Sequence, residues 1–381
     1  MKKVIIFIIS VLMLCFVGEI YGYAENQEND AEQAQKEITQ EIERGIKSDT
    51  PDEAEDFLGD NGISIEDPES ASKVGVGDWL DYILNLVKEF LSSPLKLLGA
   101  LLLVIVFTSV STGILDSNSK LLNIISIISV LSCTAILFET ISNCIEAVNS
   151  TISNLSIFIM SYVPIFSSVV ATCGNASSGV SYYVLVLLLC EIITFVIDYI
   201  LVPFVSFSLA SSIVEAINPN LSVNGFSRGL LSAAKWTLGL ITTIFIGVTS
   251  IQSIIGTSVD TVGVKAAKYA ASSMIPVVGG AMSDAYSTLM GSLSLIKNSV
   301  GVLGIVIILV TALKPVVMVV CLKFSIWISA VIAAFFEQNR ICSLLRGINN
   351  VLSILLGVVA CFTLIFIIST AVVMLLSFNM V

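Results

Sequence analysis

Histidine is absent from all 381 residues. That excludes catalysis through a Ser–His or Cys–His pair, histidine-rich zinc sites and histidine proton relays. Charge is scarce as well. Asp, Glu, Lys and Arg make up 12% of the chain, where a soluble domain carries about 25%. Cysteine is missing from residues 25–94, where an extracytoplasmic disulfide framework would sit. The eight cysteines elsewhere never fall at metal-ligand spacing, and most lie in or beside apolar runs as small packing residues. No Walker-type phosphate loop occurs, so any ATP used must be hydrolysed by another protein. No cofactor or metal site is expected.

What is present is apolar: 56% of residues are hydrophobic and the mean hydropathy is +0.97. The charge that remains is concentrated. Residues 25–70 hold sixteen Asp or Glu against Lys36, Arg44 and Lys47, a net of −13, while the whole chain sums to −11. The membrane body is therefore almost neutral. An acidic segment without Lys/Arg clusters argues against binding nucleic acid or anionic headgroups.

Lys2 and Lys3 precede an apolar run from Val4 to Val17, and Gly22-Tyr23-Ala24 supplies small residues at the −3 and −1 positions. This predicts a signal peptide over 1–24, cleaved after Ala24. Residues 25–75 are expected to be an acidic, largely flexible extracytoplasmic segment. Residues 76–94 carry apolar positions at helical spacing with Trp79 and Tyr82, which predicts an amphipathic helix on the outer membrane surface, turned inward at Pro94. Residues 95–381 then form an all-α, polytopic membrane domain.

A span needs about 20 apolar residues. Candidates are 95–115, 121–138, 152–172, 231–255 and 351–378. Residues 182–213 and 301–336 are longer, and each reads as one kinked helix or as a broken helix crossing twice. Placing Lys265, Lys268, Lys297, Arg340 and Arg346 all in the cytoplasm requires 301–336 to cross twice. The expectation is seven or eight transmembrane helices.

Residues 256–300 are rich in Gly, Ala and Ser, which lets helix backbones approach closely. Pro276 with Gly279 and Gly280 predicts a break, and Ser283-Asp284 can cap a new helix after it. The expectation is a pair of broken, re-entrant half-helices sheltered by protein. Pro164 and Pro276 sit in loosely similar contexts, as paired broken helices do in transporters. Glu191 and Asp198, seven residues apart, share a helix face. Carboxylates at membrane depth face protein or a water-lined path. Lys314, just before Pro315, is a candidate partner for Asp284 or Glu191.

The block Ile275-Pro276-Val277-Val278-Gly279-Gly280, Ser283-Asp284, Leu295-Ile296-Lys297-Asn298-Ser299-Val300-Gly301 and Leu313-Lys314-Pro315 resembles the stage III sporulation protein AE family of endospore formers. The resemblance implies a non-enzymatic membrane subunit of a secretion-like channel linking mother cell and forespore. It also implies placement in the mother-cell membrane around the forespore. Implied partners are other membrane and ring-forming channel proteins and a separate secretion-type ATPase, besides the lipid bilayer and self-association. The alternative from the residues is a secondary transporter with a broken-helix site near Glu191, Asp198 and Asp284.

Overall fold

The structure is a computed structural model that describes residues 44–64, 67–114, 120–219, 224–274 and 279–375. The signal peptide expected over 1–24 and the break residue Pro276 lie outside the described residues. The architecture is helical throughout these segments. A short acidic helix, α1 (Asp52–Asp60), is followed by a 3₁₀ turn (Pro68–Lys73) and then by long helices. These are α2 (Val76–Gly113), α3 (Lys120–Thr172), α4 (Ala176–Val196) and α5 (Val202–Ile217), then α6 (Asn224–Met274), α7 (Gly279–Phe335) and α8 (Asn339–Leu375).

Six segments among the described residues are long and apolar enough to cross a membrane, fewer than the seven or eight expected. Two differences account for the lower count, and a third concerns the small-residue segment. Residues 121–138 and 152–172, read as two spans around Glu139 and Glu146, belong to the single 53-residue helix α3. Residues 301–336, read as one kinked helix or as two crossings, lie in α7, which runs through Pro315 as a single helix. The half-helices read into 256–300 are the ends of α6 and α7, which stop at Met274 and restart at Gly279. Isolated charges in an apolar helix do not end it when the helix continues beyond the hydrocarbon. At about 1.5 Å per residue α3 is about 80 Å long, against a hydrocarbon core of about 30 Å.

Proline does not end these helices. Pro94, Pro164 and Pro315 lie inside α2, α3 and α7, so 76–94 is not a separate surface helix. Pro203 lacks an amide hydrogen, and its ring crowds the carbonyl four residues earlier. The chain answers with a π-helical turn (Ile197–Leu201) joining α4 to α5.

The two ends of the bundle are defined by contacts. At one end Gln338 Nε2 donates to Thr112 Oγ1 (3.3 Å), Arg340 Nη2 to Asn123 Oδ1 (2.6 Å) and Arg340 Nη1 to the Ile217 carbonyl (3.2 Å). At the other, Lys297 meets the last turn of α8. Between these ends α7 and α8 form an antiparallel pair, with α2, α3, α4–α5 and α6 packed around it. The α7–α8 turn is tight because Glu337 adopts φ 58°, letting Gln338 N donate to the Ala333 carbonyl at 2.9 Å.

The acidic segment is not a loose tether from residue 44 onward. Ile46, Ala54, Phe57, Leu58, Ile63 and Ala71 are buried. Phe57 packs on Trp79 and Tyr82 with ring centroids 5.1 and 4.9 Å away. α1 closes in a Schellman turn: Gly62 at φ +64° lets Ile63 N reach the Leu58 carbonyl (2.8 Å) and Gly62 N the Gly59 carbonyl (3.2 Å). Ser161 donates to Asp49, and Glu53 pairs with Lys314 at 3.0 Å. These few apolar side chains join the core of the bundle. Phe57→Ala should remove an aromatic anchor whose truncation costs about 3–5 kcal/mol. Limited proteolysis in detergent should then cut within 44–75 much faster than in the parent; Glu53→Gln, which loses a half-exposed ion pair, should leave the rate nearly unchanged.

Candidate functional site

The Lys297 end holds the densest polar construction among the described residues. Its chemistry is helix-end capping across the tertiary structure. α4 starts after Asn175, which makes no side-chain cap of its own. The cap comes instead from α6. Asp260 Oδ1 accepts from Ser177 N (2.9 Å), and Asp260 Oδ2 accepts from Ser178 N (3.0 Å) and Ser178 Oγ (2.6 Å). A carboxylate on the first-turn amides satisfies donors that the helix cannot, and it meets the positive end of the helix dipole. Asp260 is 7% exposed.

Lys297 is the complementary device. It is 0% exposed, and its Nζ donates to the carbonyls of Val373 (3.3 Å) and Met374 (3.1 Å) in the last turn of α8. A buried ammonium is costly unless it is well hydrogen-bonded, and here it meets the negative end of a helix. Cys173 Sγ donates to the Leu293 carbonyl at 3.1 Å nearby. Burial pushes the Cys173 thiol up to about 11, which the Lys297 charge and the Thr172 hydroxyl offset only in part. The thiol therefore stays protonated at neutral pH and is a poor nucleophile.

An aromatic ladder joins these caps to the centre. Phe158, Tyr162 and Phe166 stack along α3 with centroids 5.5 Å apart, and Phe166 meets Tyr182 edge-on at 5.4 Å. Tyr162 donates to the Val300 carbonyl (3.3 Å), and the Tyr182 hydroxyl shares a hydrogen bond with Thr370 (3.1 Å). The Tyr162 ring lies on Gly304, where an added Cβ would sit 2.3 Å from it. Gly179 is equally close to α3: a Cβ there would meet the Ser167 carbonyl at 2.7 Å.

The residues singled out from the sequence are scattered. Glu191 is exposed on the outer face of α4. Asp198 lies in the π-helical turn. Gly279 and Gly280 open α7, and Asp284 follows in its second turn. Lys314 pairs with Glu53, not with Asp284 or Glu191. Asp260 and Lys297 were not picked out as site residues. The signal for Lys297 was present: it is the one charge between Asp284 and Lys314.

Long apolar helices, their ends capped by buried charges from neighbouring helices, define a multi-pass helical membrane protein. The sequence pattern of "Stage III sporulation protein AE" matches residues 66–377, and the chain belongs to that family. It is also 24% identical to the Stage III sporulation protein AE of Bacillus subtilis (strain 168) over 386 aligned residues, covering 97% of this chain and 96% of the relative. No solved structure matches.

Asp260→Ala should leave two amides and a hydroxyl unsatisfied at the start of α4, and Lys297→Met should strip the end of α8. Each removes charge-assisted hydrogen bonds worth about 1.5–3 kcal/mol. Thermal unfolding in detergent should show a lower midpoint for both, whereas Lys235→Gln, at an exposed position, should match the parent. Gly304→Ala should fall with the first two, because the Tyr162 ring has nowhere to move.

Proposed function

We propose that this chain is a non-enzymatic integral membrane subunit of a multiprotein, secretion-like channel required for endospore formation. It works in the mother-cell membrane around the forespore, with other membrane and ring-forming proteins and a separate ATPase. The observation that carries the reading is the family match across 66–377. The dimensions of the bundle support it.

The chain crosses six times, with the Arg340 end in the cytoplasm. Lys120, Arg228, Lys235, Arg340 and Arg346 flank the three connections at that end, as short cytoplasmic loops require. Lys297 is buried on α8 carbonyls and does not sit in a loop, whereas Lys265 and Lys268, expected in the cytoplasm, lie near the far end of α6 and outside the cytoplasm on this topology. Counting from Thr112, Asn123 and Gln338, the charged residues Lys96, Glu139 and Lys314 lie about 24–36 Å up the bundle at the α-helical rise. That is the level at which a hydrocarbon core of about 30 Å ends. Above it the bundle continues outside the cytoplasm, and the acidic segment docks there through Glu53 and Lys314. A tall, capped extension suits a part that reaches toward a second membrane. The transporter alternative gains nothing, since Glu191 faces outward from the bundle.

Cysteine labelling tests the topology. An impermeant maleimide should label Glu69→Cys in intact cells and should label Asn118→Cys only after permeabilisation; the reverse pattern would overturn the orientation. The role itself is tested in sporulating cells. Loss of the chain should arrest spore development, and the solubilised protein should bring down ring-forming proteins and an ATPase. Recovery of the protein alone, with solute uptake in reconstituted vesicles, would replace the channel reading with the transporter.

A further inference from the structure

One acidic residue breaks the outer face of α4. Val180, Val184, Leu188, Phe195 and Tyr199 are all exposed and all apolar, and Glu191 stands among them. At 100° per residue these six positions fall within about a quarter of the helix circumference. Glu191 forms no ion pair among the described residues. A carboxylate in an apolar stripe suits neither lipid nor a purely apolar partner.

α2 carries the counterpart. Leu80, Leu84, Leu91 and Leu95 are exposed, with Lys88 among them. The spacing is the same: 80, 84, 88, 91, 95 on α2 and 180, 184, 188, 191, 195, 199 on α4–α5. Both helices run from the Lys297 end to the Arg340 end. Thr112 of α2 and Ile217 of α5 meet neighbouring residues at that end, Gln338 and Arg340. Lys88 lies 24 residues above Thr112 and Glu191 lies 26 above Ile217. One of the latter is taken up by the π-helical turn. The two charges therefore stand at one height, within about 3 Å at the helical rise. On that register Leu84 faces Leu188, Leu91 faces Phe195 and Leu95 faces Tyr199.

Within one chain the two faces do not meet, because α3 lies between α2 and α4. We propose that they meet between copies: the α2 stripe of one chain docks in parallel on the α4 stripe of the next, and Lys88 pairs with Glu191 across the contact. Phe195 and Tyr199 are already stacked, with centroids 4.9 Å apart, so they enter the contact as rigid anchors. Two different patches make the contact heterologous, and it propagates around an axis along the membrane normal, closing into a ring if the rotation allows. The inference does not rest on the sporulation role, and its test reads association alone.

Two differently tagged copies of the full chain are co-expressed, and one is pulled down in mild detergent. The parent copies should co-purify. Glu191→Lys or Lys88→Glu alone should cut recovery at least tenfold, and the double variant should restore it. Where a charge reversal harms folding, cross-linking decides. Lys88→Cys in one tagged copy and Glu191→Cys in the other should give a disulfide-linked heterodimer on oxidation, and copies that both carry Glu191→Cys should not. Failure of the parent copies to co-purify would overturn the proposal. No rescue by the double variant, or no disulfide between copies, would likewise overturn the proposal.

Discussion

Lipid can cover only about 30 Å of an apolar helix, and this chain builds helices of up to 57 residues. Whatever lies beyond that height must bury its apolar surface on protein. That constraint organises the molecule. α8 lies against α7 and is wrapped by its neighbours, so much of its apolar surface is hidden from any solvent. The acidic segment, soluble by composition, presses Phe57 onto Trp79 and Tyr82 of α2. The outer stripes on α2 and α4 are among the apolar surfaces left exposed, and one charge stands within each.

The capping by Asp260 and Lys297 follows from the same geometry. A helix end in water is satisfied by solvent, but one buried in a bundle must be satisfied by protein. α4 begins and α8 ends inside the packed Lys297 region, so each borrows a charged side chain from α6 or α7. These two charges are structural devices that hold separate helix ends in register. They sit where close contacts at Gly179 and Gly304 allow α3, α4 and α7 to approach.

Much of the fold was legible in the sequence. Apolar runs gave the membrane-grade helices. The errors share one cause. Glu139 and Glu146 read as a loop between two spans, because a window of about 20 residues assumes that each apolar run ends at a membrane surface. In α3 and α7 the backbone carries on past that surface. Lys297 misled the count of crossings for a related reason: a lysine bonded to buried carbonyls looks, in sequence, like a lysine in a cytoplasmic loop.

The sequence by itself determined that the chain is helical and lipid-grade, that its acidic charge is gathered ahead of the apolar body, and that histidine-based chemistry is out of reach. These properties follow from composition and local periodicity, which need no knowledge of neighbours. Only the tertiary structure decided that the expected spans 121–138 and 152–172 share one helix, that residues 44–64 and 67–75 are docked, and that Asp260 and Lys297 cap helices to which they do not belong. Such bonds join residues more than 70 positions apart. Local sequence encodes the need for a partner at a helix end, but only packing determines which residue supplies it.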